Sequence, residues 1–136
     1  MNAMEKVAWT ELIISAVTVF VVAALTPWLG AAATAGFALL GLIVVAGLFL
    51  RKRGRQVIVD ERDREIAKKA KDISIGLSWM TLVTVLAVSV TWASVKSDRA
   101  ISTVLLNWLI WSQFVIVYGT HGLVSVLLYR RPRHAA

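Results

Sequence analysis

A chain of 136 residues with 58% apolar and 17% charged side chains lies outside the composition of soluble domains, which carry roughly a quarter charged residues. Fifteen Lys and Arg against eight Asp and Glu give a formal charge of +7, which in a soluble protein would point to nucleic acid. Cysteine is absent, which excludes a disulfide framework, a thiolate metal site and a cysteine nucleophile.

Four apolar stretches, at about 9–29, 31–50, 73–95 and 101–129, each approach the ~20 residues with which an α-helix crosses ~30 Å of hydrocarbon. The expectation is an all-α polytopic membrane protein: a single domain over 1–136, with four transmembrane helices in a bundle. Pro27 lacks a donor that a terminal turn can spare, and Gly30 follows it, so the first two spans should form a tight hairpin. A cleaved signal peptide ending near Ala31 and Ala33 is the competing reading of the first stretch. Glu5, Lys6 and Glu11 are the wrong charge balance for its basic start.

Orientation follows from the basic residues, which resist translocation. The segment 51–72, the two termini and their flanks hold thirteen Lys and Arg, against Lys96 and Arg99 on the other face. Both termini and the 51–72 loop are therefore expected in the cytoplasm, with the chain multi-pass in the cell (inner) membrane. Trp9 and Tyr129 would mark the inner boundary, and Trp28, Trp92 and Trp108 the outer one; Trp79 and Trp111 should pack between helices.

The 51–72 segment is the most distinctive part of the chain. Asp60 is placed as an N-cap, and Glu61, Asp63 and Glu65 occupy the first turns, where a helix dipole favours anions. Asp60 with Arg64 and Glu65 with Lys69 have the i,i+4 acid-first spacing of helix-stabilising pairs. A helix should start near Glu61 and continue unbroken into the third span, extending it about three turns into the cytoplasm. Ile66, Ala70, Ile73 and Leu77 would form its packing seam. Val57, Ile58 and Val59 before it have extended character. The run Arg51, Lys52, Arg53 and Arg55 suits anionic headgroups, so the membrane accounts for it without nucleic acid.

The string Val59-Asp60-Glu61-Arg62-Asp63-Arg64-Glu65-Ile66, followed by Lys69-Ala70 and an apolar span, resembles the Asp-Glu-Arg-Asp signature of small uncharacterised prokaryotic four-helix membrane proteins, a family of unknown function. The resemblance implies the four-helix layout and a role for Asp60 to Ile66, and it brings no activity with it.

Ionisable groups inside spans are functional candidates by default, and the apolar stretches hold two, Glu11 and His121. Glu11, about one turn into the first span, is placed to reach interfacial water or pair with Lys6. His121 belongs to a stripe with Asn107, Trp111, Phe114, Tyr118 and Ser125 at alternating steps of four and three, which Ser74, Ser78 and Thr81 of the preceding span should face. No second intramembrane His, paired acids or phosphate loop accompanies them, so neither enzyme activity nor a cofactor is expected.

The leading functional reading is therefore a scaffold, regulator or subunit whose residues Asp60, Glu61, Arg62, Asp63, Arg64 and Glu65 contact a cytoplasmic protein. The alternative is a small proton-coupled or lipophilic-cation transporter that uses Glu11 or His121, which with Tyr118 make up the candidate intramembrane polar site. Four short spans make a small interior and leave room for a homodimer.

Overall fold

The computed structural model describes residues 3–49, 51–52, 55–56, 60–95 and 101–130. Three α-helices dominate: α1 over Ala3–Leu29, α2 over Glu61–Val95 and α3 over Thr103–Arg130. Between α1 and α2 come a 3-10 helix over Gly30–Phe49 and two short antiparallel strands, β1 (Arg51–Lys52) and β2 (Arg55–Gln56), paired Arg51 to Gln56 and Lys52 to Arg55.

This corrects the expected bundle of four transmembrane α-helices. The stretch at 31–50 does not form a fourth α-helix. It is wound as a 3-10 helix that follows α1 and folds back on it at Gly30, and by length and hydropathy the described residues make three candidate spans: Ala3–Val44, which includes that turn, Glu61–Val95 and Thr103–Arg130. Gly30 sits at φ 55°, a left-handed conformation open to glycine, and ends α1 just after Pro27, as the sequence predicts. Beyond it the chain is laid back on α1, where Phe37 and Leu40 pack with Val22. Eclipsed i,i+3 side chains normally keep 3-10 helices to a turn or so. In its first half the run of Ala31, Ala32, Ala33, Gly36 and Ala38 relieves that crowding, and the Thr34 hydroxyl donates to Ala31 O at 2.8 Å across an i,i−3 step.

The helices form an open array instead of a closed bundle. α3 is central, packing against α1 on one side and α2 on another, while the 3-10 helix packs chiefly on α1 and touches α3 at Phe37. Phe37 meets Trp108 edge-on at 5.9 Å and stacks on Trp111 at 6.2 Å. Trp108, near the start of α3, is therefore partly buried against the 3-10 helix. Trp79 is 62% exposed and does not pack between helices as expected, whereas Trp28 and Trp92 are exposed at the ends of α1 and α2.

Burial is inverted relative to a water-soluble fold. The buried set includes Glu11, Ser15, Thr18, Asp63, Ser74, Ser78 and Ser125, whereas Phe20, Trp28, Val44, Met80, Val88 and Val95 are among many large apolar side chains left exposed. Only 17%, 11% and 22% of the apolar windows of the three spans are buried. Water would make such a surface untenable. In lipid, where tails are as apolar as leucine, small and hydrogen-bonding residues hold helices together instead.

α2 begins at Glu61, as the sequence predicts. Asp60 Oδ1 accepts the Glu61 amide at 2.7 Å, and Asp60 O accepts the Arg64 amide at 3.2 Å. The buried seam differs from the expected one: Ile66 and Ala70 belong to it, but Ile73 and Leu77 are exposed, and Ser74 and Ser78 take their places. The reason is again the solvent, since past the charged turns the apolar face belongs to lipid and the small face to α3. Neither Asp60 with Arg64 nor Glu65 with Lys69 forms an ion pair; all four side chains are exposed, and exposed pairs of this kind gain little.

Candidate functional site

On α1, Ala8, Glu11, Ser15, Thr18 and Val22 recur at steps of three and four and are all buried, so one face of the helix is turned inward along its length. α3 meets that face with glycine. A Cβ on Gly122 would stand 2.7 Å from Leu12 N and 2.8 Å from Ala8 O, and one on Gly119 would stand 3.4 Å from Ser15 Cβ. The two backbones are therefore in direct contact at Gly122, a closeness that only a residue without a side chain permits.

That approach brings together the two ionisable residues that the sequence treats separately. His121 Nδ1 lies 2.6 Å from Glu11 Oε2, with Glu11 9% exposed. Glu11 does not pair with Lys6, which is exposed and contributes only its carbonyl, to the Thr10 hydroxyl at 2.8 Å. Further along the same α1 face, Ser15 Oγ and Thr18 Oγ1 are buried without a hydrogen-bond partner.

The stripe on α3 faces α1 and the 3-10 helix, not α2. Asn107 Nδ2 donates to Thr34 Oγ1 at 3.1 Å, Trp111 stacks on Phe37, and Ser125 is buried. Tyr118 does not join the Glu11–His121 pair; with Trp111, Phe114, Phe37 and Leu40 it lines an open apolar groove of about 450 Å³ between α3 and the 3-10 helix. Ser74 and Ser78 meet α3 elsewhere, Ser78 donating to Gln113 Oε1 at 2.6 Å, while the Thr81 hydroxyl turns back to Leu77 O.

The charged start of α2 is tied to the end of α3 by Tyr129, whose hydroxyl donates to Asp63 Oδ1 at 2.9 Å. Beside it the Arg130 guanidinium lies over the Trp9 ring, 5.1 Å from its centroid. The start of α1, the start of α2 and the end of α3 therefore meet at one end of the molecule, the basic end. Of the six motif residues, Asp60 caps the helix and Asp63 is 3% exposed and bonded, Arg62 is half-buried, and Glu61, Arg64 and Glu65 are exposed. The backbones of Arg51, Lys52 and Arg55 belong to the β1–β2 pair, while Arg53 and the stretch 57–59 lie outside the described residues.

Two contacts fix the register of α2 against α3: Asp63 opposite Tyr129 and Ser78 opposite Gln113. Interpolating between them places His121 level with Lys71, where α2 passes from its charged turns into its apolar span. The Glu11–His121 pair thus lies level with the point where the charged turns of α2 give way to its apolar stretch, toward the basic end.

Sequence reasoning missed Ser15, Thr18, Gln113, Gly119 and Gly122, as well as the Asp63–Tyr129 bond. The repeated steps of three and four through Ala8, Glu11, Ser15 and Thr18 were the available signal for the first two.

Inverted burial and three long apolar helices define a multi-pass integral membrane protein. Its sequence matches the family described as "Predicted membrane protein (DUF2178)" over residues 6–131, and the chain belongs to that family, whose function is unknown. No curated protein and no solved structure matches it.

Proposed function

We propose that this is a non-enzymatic protein of a prokaryotic inner membrane, working by interaction through its basic end, with that end and both termini in the cytoplasm. Asp60 to Ile66 would be the family's hallmark. The supporting observation is the held extension of α2. Thirty-five residues of helix are about 50 Å long, well beyond the ~30 Å hydrocarbon core. Its first turns do not wave free: Asp63 is clamped by Tyr129, and Ile66 and Ala70 are buried. What that clamp displays is a fixed pattern of exposed Glu61, Arg64, Glu65, Lys68 and Lys69. A protein partner of mixed charge fits such a pattern, and the sequence run Arg51, Lys52, Arg53 and Arg55 suits anionic headgroups.

Because the chain has no cysteine, one introduced thiol is an unambiguous reporter of side. In a Glu61→Cys variant, a membrane-impermeant maleimide should label only after the cytoplasmic face is opened; labelling of intact cells would refute the orientation. Reversal of Glu61, Arg64 and Glu65 together should abolish an in-cell crosslinked partner seen with the natural chain while leaving the melting temperature unchanged.

The transporter reading has its own support in the Glu11–His121 contact. Substrate-dependent proton flux in proteoliposomes that Glu11→Gln removes would favour it over the interaction reading.

A further inference from the structure

Glu11 and His121 are brought together across the α1–α3 seam by the backbone contact at Gly122, with the Glu11 side chain 12% exposed and the His121 ring 26% exposed. With Nδ1 2.6 Å from Oε2, a neutral imidazole donates Nδ1–H to the carboxylate and keeps a lone pair on Nε2, at the other edge of the ring. In that state the pair carries one negative charge. A proton taken up at Nε2 gives an imidazolium that still donates through Nδ1, and the pair becomes neutral overall. At the margin of an apolar slab the neutral arrangement is far better tolerated than an uncompensated buried charge.

A second observation points the same way. Ser15 and Thr18, 2% and 0% exposed, continue the Glu11 face of α1 deeper into the slab, and their hydroxyls have no partner. A hydroxyl both donates and accepts, so a row of them suits the passage or retention of a proton.

We propose that Glu11 and His121 form a proton-binding site at the membrane threshold, loading one proton on His121 Nε2 from the basic end, with the Ser15 and Thr18 hydroxyls as its polar continuation into the slab. The site stands apart from the interaction reading above and does not require net transport. The groups around it are few. On α1, Glu5 and Lys6 lie toward the basic end. On α3, Tyr118 precedes His121 by a turn, Tyr129 engages Asp63, and Arg130 covers Trp9. α2 brings exposed Lys68, Lys69, Lys71 and Asp72 to the same level and Arg62 below it. The 3-10 helix carries no ionisable side chain.

The chain has two histidines, His121 and His134, so ring nitrogens labelled with ¹⁵N in a His134→Asn background report on His121 alone. In lipid nanodiscs titrated downward from about pH 9 to about pH 5, the range in which histidine changes charge, Nε2 should gain a proton while Nδ1 stays protonated at both ends. Glu11→Gln keeps an acceptor oxygen for Nδ1–H but removes the countercharge. It should need at least about tenfold higher proton activity to load Nε2, with the melting temperature of the chain retained. Loading of Glu11→Gln at the same proton activity as the natural chain would make the contact purely structural and overturn the proposal. So would an Nε2 unresponsive to pH in the natural chain, or ring signals moved by sodium at constant pH as strongly as by acid, which would assign the site to a metal cation. Should Glu11→Gln fail to fold, the pH and sodium titrations of the natural ring decide by themselves.

Discussion

α3 is held on two sides in two different ways. Toward α1 the contact is made by absence: Gly119 and Gly122 let backbone meet backbone, and an ionisable pair closes the same seam. Toward α2 the contact is made by side chains, with Tyr129 reaching Asp63 at the basic end, Ser78 reaching Gln113 further in, and Ala70 and Ser74 filling between. The first seam is stiff at Gly122, where backbone meets backbone and there is no side chain to yield. The second is adjustable because each of its links is a flexible side chain, and this sets the order in which substitutions should hurt.

The largest effect belongs to Gly122→Ala. Its methyl would stand within 2.7–3.1 Å of Leu12 N, Ala8 O and Leu12 Cα, all backbone or at its root, so α1 must move away as a body. Overpacking of this kind costs about 3 kcal/mol, at the upper end of its usual range, and the same displacement pulls Glu11 from His121. Unfolding in mixed detergent should show the loss. A variant as stable as the natural chain would mean that the α1–α3 seam is not the rigid one.

Tyr129→Phe comes next, at about 2 kcal/mol for a hydrogen bond to a buried charged acceptor. It should loosen the start of α2 without disturbing its apolar span, so hydrogen exchange should rise from Glu61 to about Ala70 and stay unchanged beyond Ser78. Uniformly faster exchange along α2 would show that the clamp is not local.

The legible parts of this fold were the local ones. Asp60 followed by acids announced the start of α2, and Pro27 with Gly30 announced the end of α1, because caps and breakers act within a few residues. The seam of α2 was half legible. Ile66 and Ala70 obey the water-soluble rule, but past the charged turns the rule reverses, and Ser74 and Ser78 are buried while Ile73 and Leu77 face out. The 3-10 winding of Gly30–Phe49 was hidden, since its apolar composition carries no signal that separates a 3-10 helix from an α-helix. Glu11 and His121 were each visible as costly residues, yet their meeting was not. They are 110 positions apart, and only the glycine contact between α1 and α3 joins them. The steps of three and four through Ala8, Glu11, Ser15 and Thr18 mark the inward face of α1, but nothing in that spacing names the helix that meets it.

The smallest expected effect completes the contrast between the seams. Gly76 lies within α2, in the same one-turn stretch as the buried Ser74 and Ser78, and a Cβ built on it meets nothing within 4 Å. It is exposed, so it faces away from α3. If small residues were needed throughout the spans for close packing, Gly76→Ala would be as damaging as Gly122→Ala. If closeness is needed only where backbones touch, the added methyl enters open space, and the gain in helix propensity, up to about 1 kcal/mol in water, is not opposed by any contact. Gly76→Ala should therefore leave stability within about 0.5 kcal/mol of the natural chain or raise it slightly. A loss of the size expected for Gly122→Ala would reveal a partner on the exposed face of α2, such as a second copy of the chain packed there.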